Sequence, residues 1–314
     1  MKYVGKAVAA FAVAVMALAG CGGGGDPLSK TDEDTKGQEN KSGQGGGEAL
    51  VVGGANFTES KVLAEIYAGA LNAEGIQATT RTGIGSREAY LGALKDGSVD
   101  IFPEYTGNLA LHYDPDATAT SAQGWYDAAK NALPKEFTIF AMAPAQDNDS
   151  VTVTRETADQ YDLKKVSDLR PVAPELVIGG PPEWLTREKT GVPALEKTYG
   201  LEFQGEYKRF NPGLQVQALK NGQIDVTNIF TTDPAIFLND FVVLEDDKHV
   251  FPLSNVVPIG NKAATGEEKI GATLDAVSAE LDTETVSDLV KQVDIDKKEP
   301  KAVAQEWLKS NGFA

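Results

Sequence analysis

Four aromatic side chains, Phe57, Tyr105, Trp184 and Phe230, follow short apolar runs and define the chemistry open to this chain. Aromatic faces carry negative charge density, so a group of them attracts a poorly hydrated organic cation such as a quaternary ammonium. Threonines follow three of the four, as Thr58, Thr106 and Thr231, and Asn56 precedes Phe57. Arg187, three residues beyond Trp184, offers a fork that donates two parallel bonds to a carboxylate. Cage and fork together would hold a zwitterion. Plainer arrangements stay open beside that one: aromatics packed into a core, and an Arg187 paired at the surface with Glu183 or Glu188.

Catalysis finds little to work with. The two histidines, His112 and His249, have no neighbours at metal-ligand spacing. Gly83-Ile84-Gly85 lacks the third glycine of a dinucleotide loop, and no GxSxG elbow occurs. Glu104 is a candidate base without an indicated partner carboxylate. Asp147-Asn148-Asp149 and Asp246-Asp247 lack the alternating ligands and terminal glutamate of a calcium loop, and fit solvated loops. The expectation is a binding protein rather than an enzyme, with no catalytic residue, metal or cofactor.

The elements that must position the aromatics come in duplicate. Leu50-Val51-Val52-Gly53-Gly54 matches Leu176-Val177-Ile178-Gly179-Gly180 at an offset of 126, and Ala93 to Ile101 matches Ala218 to Val226 at an offset of 125. Two matches at nearly one spacing indicate an internal repeat. Each first motif reads as a short buried strand ending in a Gly-Gly turn, and each second as a helix closed by glycine before another strand. A helix is expected over 59–73, capped by Asn56 or Thr58, another from Ser86, and its counterpart from Asn211 with Pro212 at the first helical position. Alternating strands and helices predict an α/β fold with two mostly parallel sheets, whose ligands bind beyond the carboxyl ends of the strands. Tyr105 and Phe230 stand there, each five residues after the repeat's aspartate, Asp100 or Asp225.

The N-terminus reads as a leader. Lys2 and Lys6 precede an apolar run from Ala7 to Ala19 and the tetrad Leu18-Ala19-Gly20-Cys21. That run is shorter than the ~20 residues of a membrane span and ends on small residues, so 1–20 is expected to be a cleaved signal peptide. The tetrad resembles the lipobox of bacterial lipoproteins, which implies lipidation at Cys21. Cys21 is the single cysteine, so the fold has no internal disulfide. Residues 21–48 are Gly-, Ser- and charge-rich with almost no large apolar side chain, and as a flexible tether span on the order of 30 Å. Removing Lys2 and Lys6 takes the formal charge from -17 to -19. Such a surface repels nucleic acid.

Beyond position 48 the chain resembles the glycine betaine, carnitine and choline binding proteins of ABC importers. The resemblance rests on Gly54-Ala55-Asn56-Phe57-Thr58-Glu59, Ala93 to Asp100, Phe102-Pro103-Glu104-Tyr105-Thr106-Gly107, Ala143-Pro144-Ala145-Gln146, Val166-Ser167-Asp168-Leu169, Thr231-Thr232-Asp233 and Leu244-Glu245-Asp246-Asp247-Lys248. It implies the two-lobed type II periplasmic-binding-protein fold with a ligand cleft between the lobes, lobe 1 from 49–151 and 255–314 and lobe 2 from 152–254. It implies a monomer, lipid-anchored at the outer face of the cytoplasmic membrane, that hands a small solute to ABC permease subunits. By the same resemblance Tyr105 and Phe230 are cage aromatics, Asn108 binds the polar end of the ligand, and Arg187 clamps a carboxylate.

Three positions depart from the pattern. Some members carry a lysine where Ala55 stands, and tyrosines that align with Ser150 and Ser254 complete their cage. Ser150 thus enters the candidate site as a lost aromatic, each such loss removing about 0.5–2 kcal/mol of cation attraction. The opened space fits weaker osmolyte binding, or a larger betaine-like or aromatic solute such as ergothioneine.

Overall fold

A computed structural model describes residues 49–211 and 213–314. The leader, Cys21, the tether and Pro212 lie outside the described residues.

Ten strands are described: β1 Leu50–Ala55, β2 Ala78–Ile84, β3 Ile101–Tyr105, β4 Phe137–Ile139, β5 Val151–Thr154, β6 Gly179–Gly180, β7 Lys208–Arg209, β8 Val226–Thr227, β9 Phe241–Leu244 and β10 Val256–Asn261. The first sheet has the order β2-β1-β3-β10-β4. Its first three strands run parallel, and β10 is antiparallel to β3 and to β4. Around the second sheet β8-β5-β9 is antiparallel and β6-β7 parallel, and a parallel bridge from Ile178 to Val226 joins the two pieces. Read across that bridge, β7-β6-β8-β5-β9 repeats the order of the first sheet. In each sheet the fourth strand is borrowed: β5 follows the first sheet's β4, and β10 follows the second sheet's β9. The chain therefore crosses from one lobe to the other over 145–150 and returns over 251–255.

The repeat has a physical cause in two places. Asp100 accepts a bond from Val51 N–H through Oδ2 (2.8 Å), while its own N–H donates to the Val51 carbonyl (2.8 Å). Asp225 does the same to Val177, at 2.8 Å in both directions. The Gly-Gly pairs are not the turns expected of them. Gly53 and Gly54 lie inside β1, and Gly179–Gly180 is β6 itself. They are glycine because neighbouring chain crosses close above: a Cβ on Gly53 would meet Val99 and Phe102 at 2.9 and 2.7 Å, and one on Gly179 would meet Ile224 and Phe210 at 2.8 and 2.9 Å. Val99 and Ile224 are themselves repeat partners.

Helices pack these sheets into separate apolar cores. The helix Thr58–Ala73 covers the first sheet with Val62, Leu63, Ile66 and Leu71 buried. The C-terminal helix Pro300–Ser310 lies on it, with Leu308 seated where a Gly69 side chain would be (2.3 Å). Of the expected caps, Ser86 precedes Arg87–Asp96 and Gly97 closes it in the left-handed conformation (φ 78°). The others moved. Phe57, which has no side-chain oxygen to cap with, occupies the N-cap position of Thr58–Ala73, and the Thr58 hydroxyl donates to Asp294. The helix expected from Asn211 starts at Leu214, after Gly213 at φ 90°.

Replacing Asp100 or Asp225 with alanine leaves one part-buried backbone N–H unpaired in each case, so each should lose about 1 kcal/mol in urea denaturation. Loss in one variant only would contradict the equivalence of the two clamps.

Candidate functional site

A cavity of about 660 Å³ opens between the lobes. From the first lobe it is lined by Phe57, Thr58 and Glu59 at the start of Thr58–Ala73, and by Val290, Asp294 and Ile295 at the end of the helix Thr283–Asp294. From the second it is lined by Val216 and Gln217 of Leu214–Lys220 and by the stretch from Phe230 to Asn239 that follows β8. Asp147, on the outgoing crossover, forms part of the wall.

Phe57 and Phe230 are the two rings of this cavity, 45% and 47% exposed, one from each lobe. A benzyl side chain left half in water forgoes on the order of 1 kcal/mol of burial, which a fold tolerates where a ligand completes the packing. Asn56 is exposed beside Phe57.

The remaining expected aromatics turn inward. Tyr105 is 6% exposed and packs behind Phe57, ring centroids 6.3 Å apart, with its hydroxyl donating to Glu59 Oε1 (2.7 Å). Trp184 is a core residue, not a cleft residue: it is 1% exposed and lies over Gly180, whose Cβ would meet its ring at 2.8 Å.

The polar candidates divide in the same way. Thr106 is fully buried; its hydroxyl donates to the Leu253 carbonyl (3.2 Å) and accepts from Asn255 N–H (3.0 Å), joining the first sheet to the returning crossover. Ser150 is committed to Thr152 (2.7 Å) and the Ile229 carbonyl (2.5 Å), and Ser254 is buried against Gly107. Neither serine faces the large cavity, so the space expected from their small side chains is not there. Ser150 lines a separate void of about 250 Å³. Thr231 accepts from Asn148 N–H (3.0 Å) and donates to the Gln146 carbonyl (2.8 Å), leaving its neighbour Thr232 to face the cavity. Asn108 is partly exposed on the helix Thr106–Tyr113 and does not line it. Arg187 pairs with neither Glu183 nor Glu188. One guanidinium nitrogen donates to both oxygens of Asp149 (2.9 Å each), and Asn228 donates to the same carboxylate (2.9 Å).

What sequence reasoning missed is the acid in the cavity wall. Glu59 is 5% exposed. Thr232 donates to Asp147 Oδ1 (2.9 Å) and also approaches Glu59. Burial raises the Glu59 carboxyl, against the pull of the Thr232 and Tyr105 hydroxyls. Burial first, and then the nearby Glu59 charge, hold Asp147 well above the usual carboxylate range. Burial also raises Asp233. The Asp147-Asn148-Asp149 run is therefore no solvated loop. Its position between the repeat units was the available signal, since charged side chains at a lobe crossing have little water to face. Glu104 is no free base: it is fully buried, held by Arg87 (2.7 and 3.2 Å) and Tyr90 (2.5 Å). Among the described residues no group of three or more His, Cys, Asp or Glu is arranged to hold a metal ion.

A family model described as the substrate binding domain of the ABC-type glycine betaine transport system matches residues 48–310. The glycine-betaine-binding protein of Pseudomonas aeruginosa is 32% identical over 84% of this chain and 88% of its own length. The carnitine transport binding protein OpuCC of Listeria monocytogenes is 28% identical over 85% and 88%. The crystal structure of a glycine betaine/carnitine/choline ABC transporter protein superposes with a TM-score of 0.78 at 25% identity, covering 84% of this chain and 99% of that one.

A carboxyl group raised by folding keeps its proton after the unfolded chain has released it, so stability drains away as pH climbs above about 4. Asp147→Asn keeps the Thr232 bond and removes that liability. Its melting temperature should exceed that of the native protein at pH 8, by on the order of 2–4 °C, and by less at pH 5. An equal shift at both pH values, or a loss at pH 8, would contradict the buried-acid assignment.

Proposed function

The chain belongs to the family of substrate-binding domains of ABC-type glycine betaine transport systems, and from that premise we propose that it holds a quaternary-ammonium or betaine-type solute between Phe57 and Phe230. It is a substrate-binding protein of an ABC importer and not an enzyme. One observation carries the choice of site: two half-exposed phenyl rings, contributed by different lobes, line one cavity of about 660 Å³. Rings on both sides attract a greasy cation, each by about 0.5–2 kcal/mol, and a solute touching both lobes stabilises their approach. Relatives named for glycine betaine and carnitine support the same solute class.

In this reading Asn56 stands at the rim and Tyr105 supports Phe57 from behind. Thr106, Asn108, Ser150, Trp184, Arg187 and Thr231 act through the elements they hold rather than by contact with the solute. The lobes divide at the crossovers 145–150 and 251–255, within a few residues of the expected boundaries at 151/152 and 254/255, so that both crossovers lie beside Asp147 and can sense closure. Cys21 carries the lipid, residues 21–48 form the tether, and the monomer works outside the cytoplasm beside its permease. Among the described residues no helix is long and apolar enough to cross a membrane.

A thermal-shift screen of glycine betaine, choline, carnitine and ergothioneine should find a quaternary ammonium solute that raises the melting temperature by several degrees, since ligand at 100 times Kd adds about 2.7 kcal/mol. Phe57→Ala and Phe230→Ala should each weaken that solute about 2- to 30-fold without loss of stability. Stabilisation by none of the four would overturn the reading.

The anchor has its own test. Cys21→Ala should move the protein from the membrane fraction to the medium or the soluble extracytoplasmic fraction, and retention in the membrane would contradict lipidation there.

A further inference from the structure

The charges around the cavity are all of one sign. Its described lining holds Glu59, Asp147, Asp233 and Asp294 and no lysine, arginine or histidine. Arg187, the side chain suited to receive a solute carboxylate, lies outside that lining and gives one guanidinium nitrogen to Asp149. Resting on the reading that this cavity is the solute site, we propose that it selects an organic monocation without a carboxylate, whose charge meets Glu59 and Asp147 between the rings of Phe57 and Phe230.

Three independent features converge on that solute. The two half-exposed phenyl faces attract an alkylated ammonium and are indifferent to a carboxylate's solvation. Glu59 comes from the first lobe and Asp147 from the crossover, while Thr232, bonded to Asp147, comes from the second lobe, so a cation here is held by both lobes at once. The groups facing the carboxyl pair offer no compensating charge: Tyr105 on Glu59, Asp149 further along the crossover, Asp233 before the helix Ala235–Leu238, and Asp294. Glycine betaine and choline share the trimethylammonium group and differ at the other end, carboxylate against hydroxymethyl. In a cavity of this charge the carboxylate meets acid, whereas the hydroxyl can donate to it. Burial raises both carboxyls and a fixed cation beside them pulls both back down, so whatever proton the pair holds is released to the buffer as the cation binds.

Isothermal titration of the full-length chain at pH 7.5 in two buffers of different ionisation enthalpy tests the proposal, with choline, tetramethylammonium and glycine betaine as probes. Choline should bind at least tenfold more tightly than glycine betaine, and its apparent heat should differ between the buffers in the sense of proton release. Glu59→Gln and Asp147→Asn should each cost choline at least tenfold, narrow the choline-to-betaine ratio and shrink the buffer dependence, while thermal melts confirm that both variants fold. Tetramethylammonium should follow choline in every variant. Glycine betaine binding as tightly as choline, or choline affinity indifferent to both substitutions, would overturn this inference and leave the quaternary-ammonium reading standing. Binding of none of the three would overturn both.

Discussion

A carboxylate taken out of water with no cation beside it costs several kcal/mol, and this chain buries Glu59 and half-buries Asp147 in the wall of the cavity where its two lobes and a crossover meet. Elsewhere the fold satisfies its acids. Glu104 is fully buried yet saturated by Arg87, Tyr90 and a backbone N–H (2.7 Å). Asp149 has Arg187 and Asn228. Asp246 accepts from the hydroxyl of Tyr199 and from Phe251 N–H (2.7 Å). Only hydroxyls answer Glu59 and Asp147, and hydroxyls lower the cost without neutralising the charge. The missing charge is the one a cationic solute brings, so the same arrangement that strains the empty protein gives the filled one its binding energy.

That solute also acts on the junction. The two crossovers are bonded to each other, Asp147 N–H to the Ser254 carbonyl (2.9 Å) and Ser254 N–H to Asn148 Oδ1 (2.7 Å), and Thr231 ties the loop after β8 to the first of them. Away from the cavity, Lys189 reaches Pro115 and Asp116 across a second groove of about 380 Å³ (2.7 and 2.9 Å), an exposed pair that contributes little on its own. A ligand at Asp147 therefore sits on the segment through which one lobe must turn against the other. Differential contact with the closed form is what shifts such an equilibrium, and closure is what a permease can read.

The duplication was legible because its causes are local. A Gly-Gly pair cleared for Val99 or Ile224, and an aspartate clamping the strand beside it, leave the same short phrase in the sequence twice. The destination of the aromatics was not legible in that way. Phe230 and Trp184 both follow a strand of the second lobe; Trp184 folds back over Gly180, whose missing side chain leaves room for its indole, while Phe230 stays half-exposed at the cavity. Partners far apart in the chain were hidden for the same reason. Arg187 looked to its neighbours Glu183 and Glu188, but its carboxylate comes from Asp149, and the acid pair joins residue 59 to residue 147 through Thr232. Local spacing says nothing about such meetings. They follow from the strand exchange that brings both crossovers under one cavity.

The most direct measurement is a structure of the protein with its tightest-binding quaternary ammonium bound. The cation should lie within about 6 Å of both the Phe57 and Phe230 ring centroids, with the Glu59 and Asp147 carboxyls its nearest charges and the Arg187–Asp149 pair intact. A solute seated instead against Trp184, or a carboxylate that displaces Asp149 from Arg187, would contradict the account.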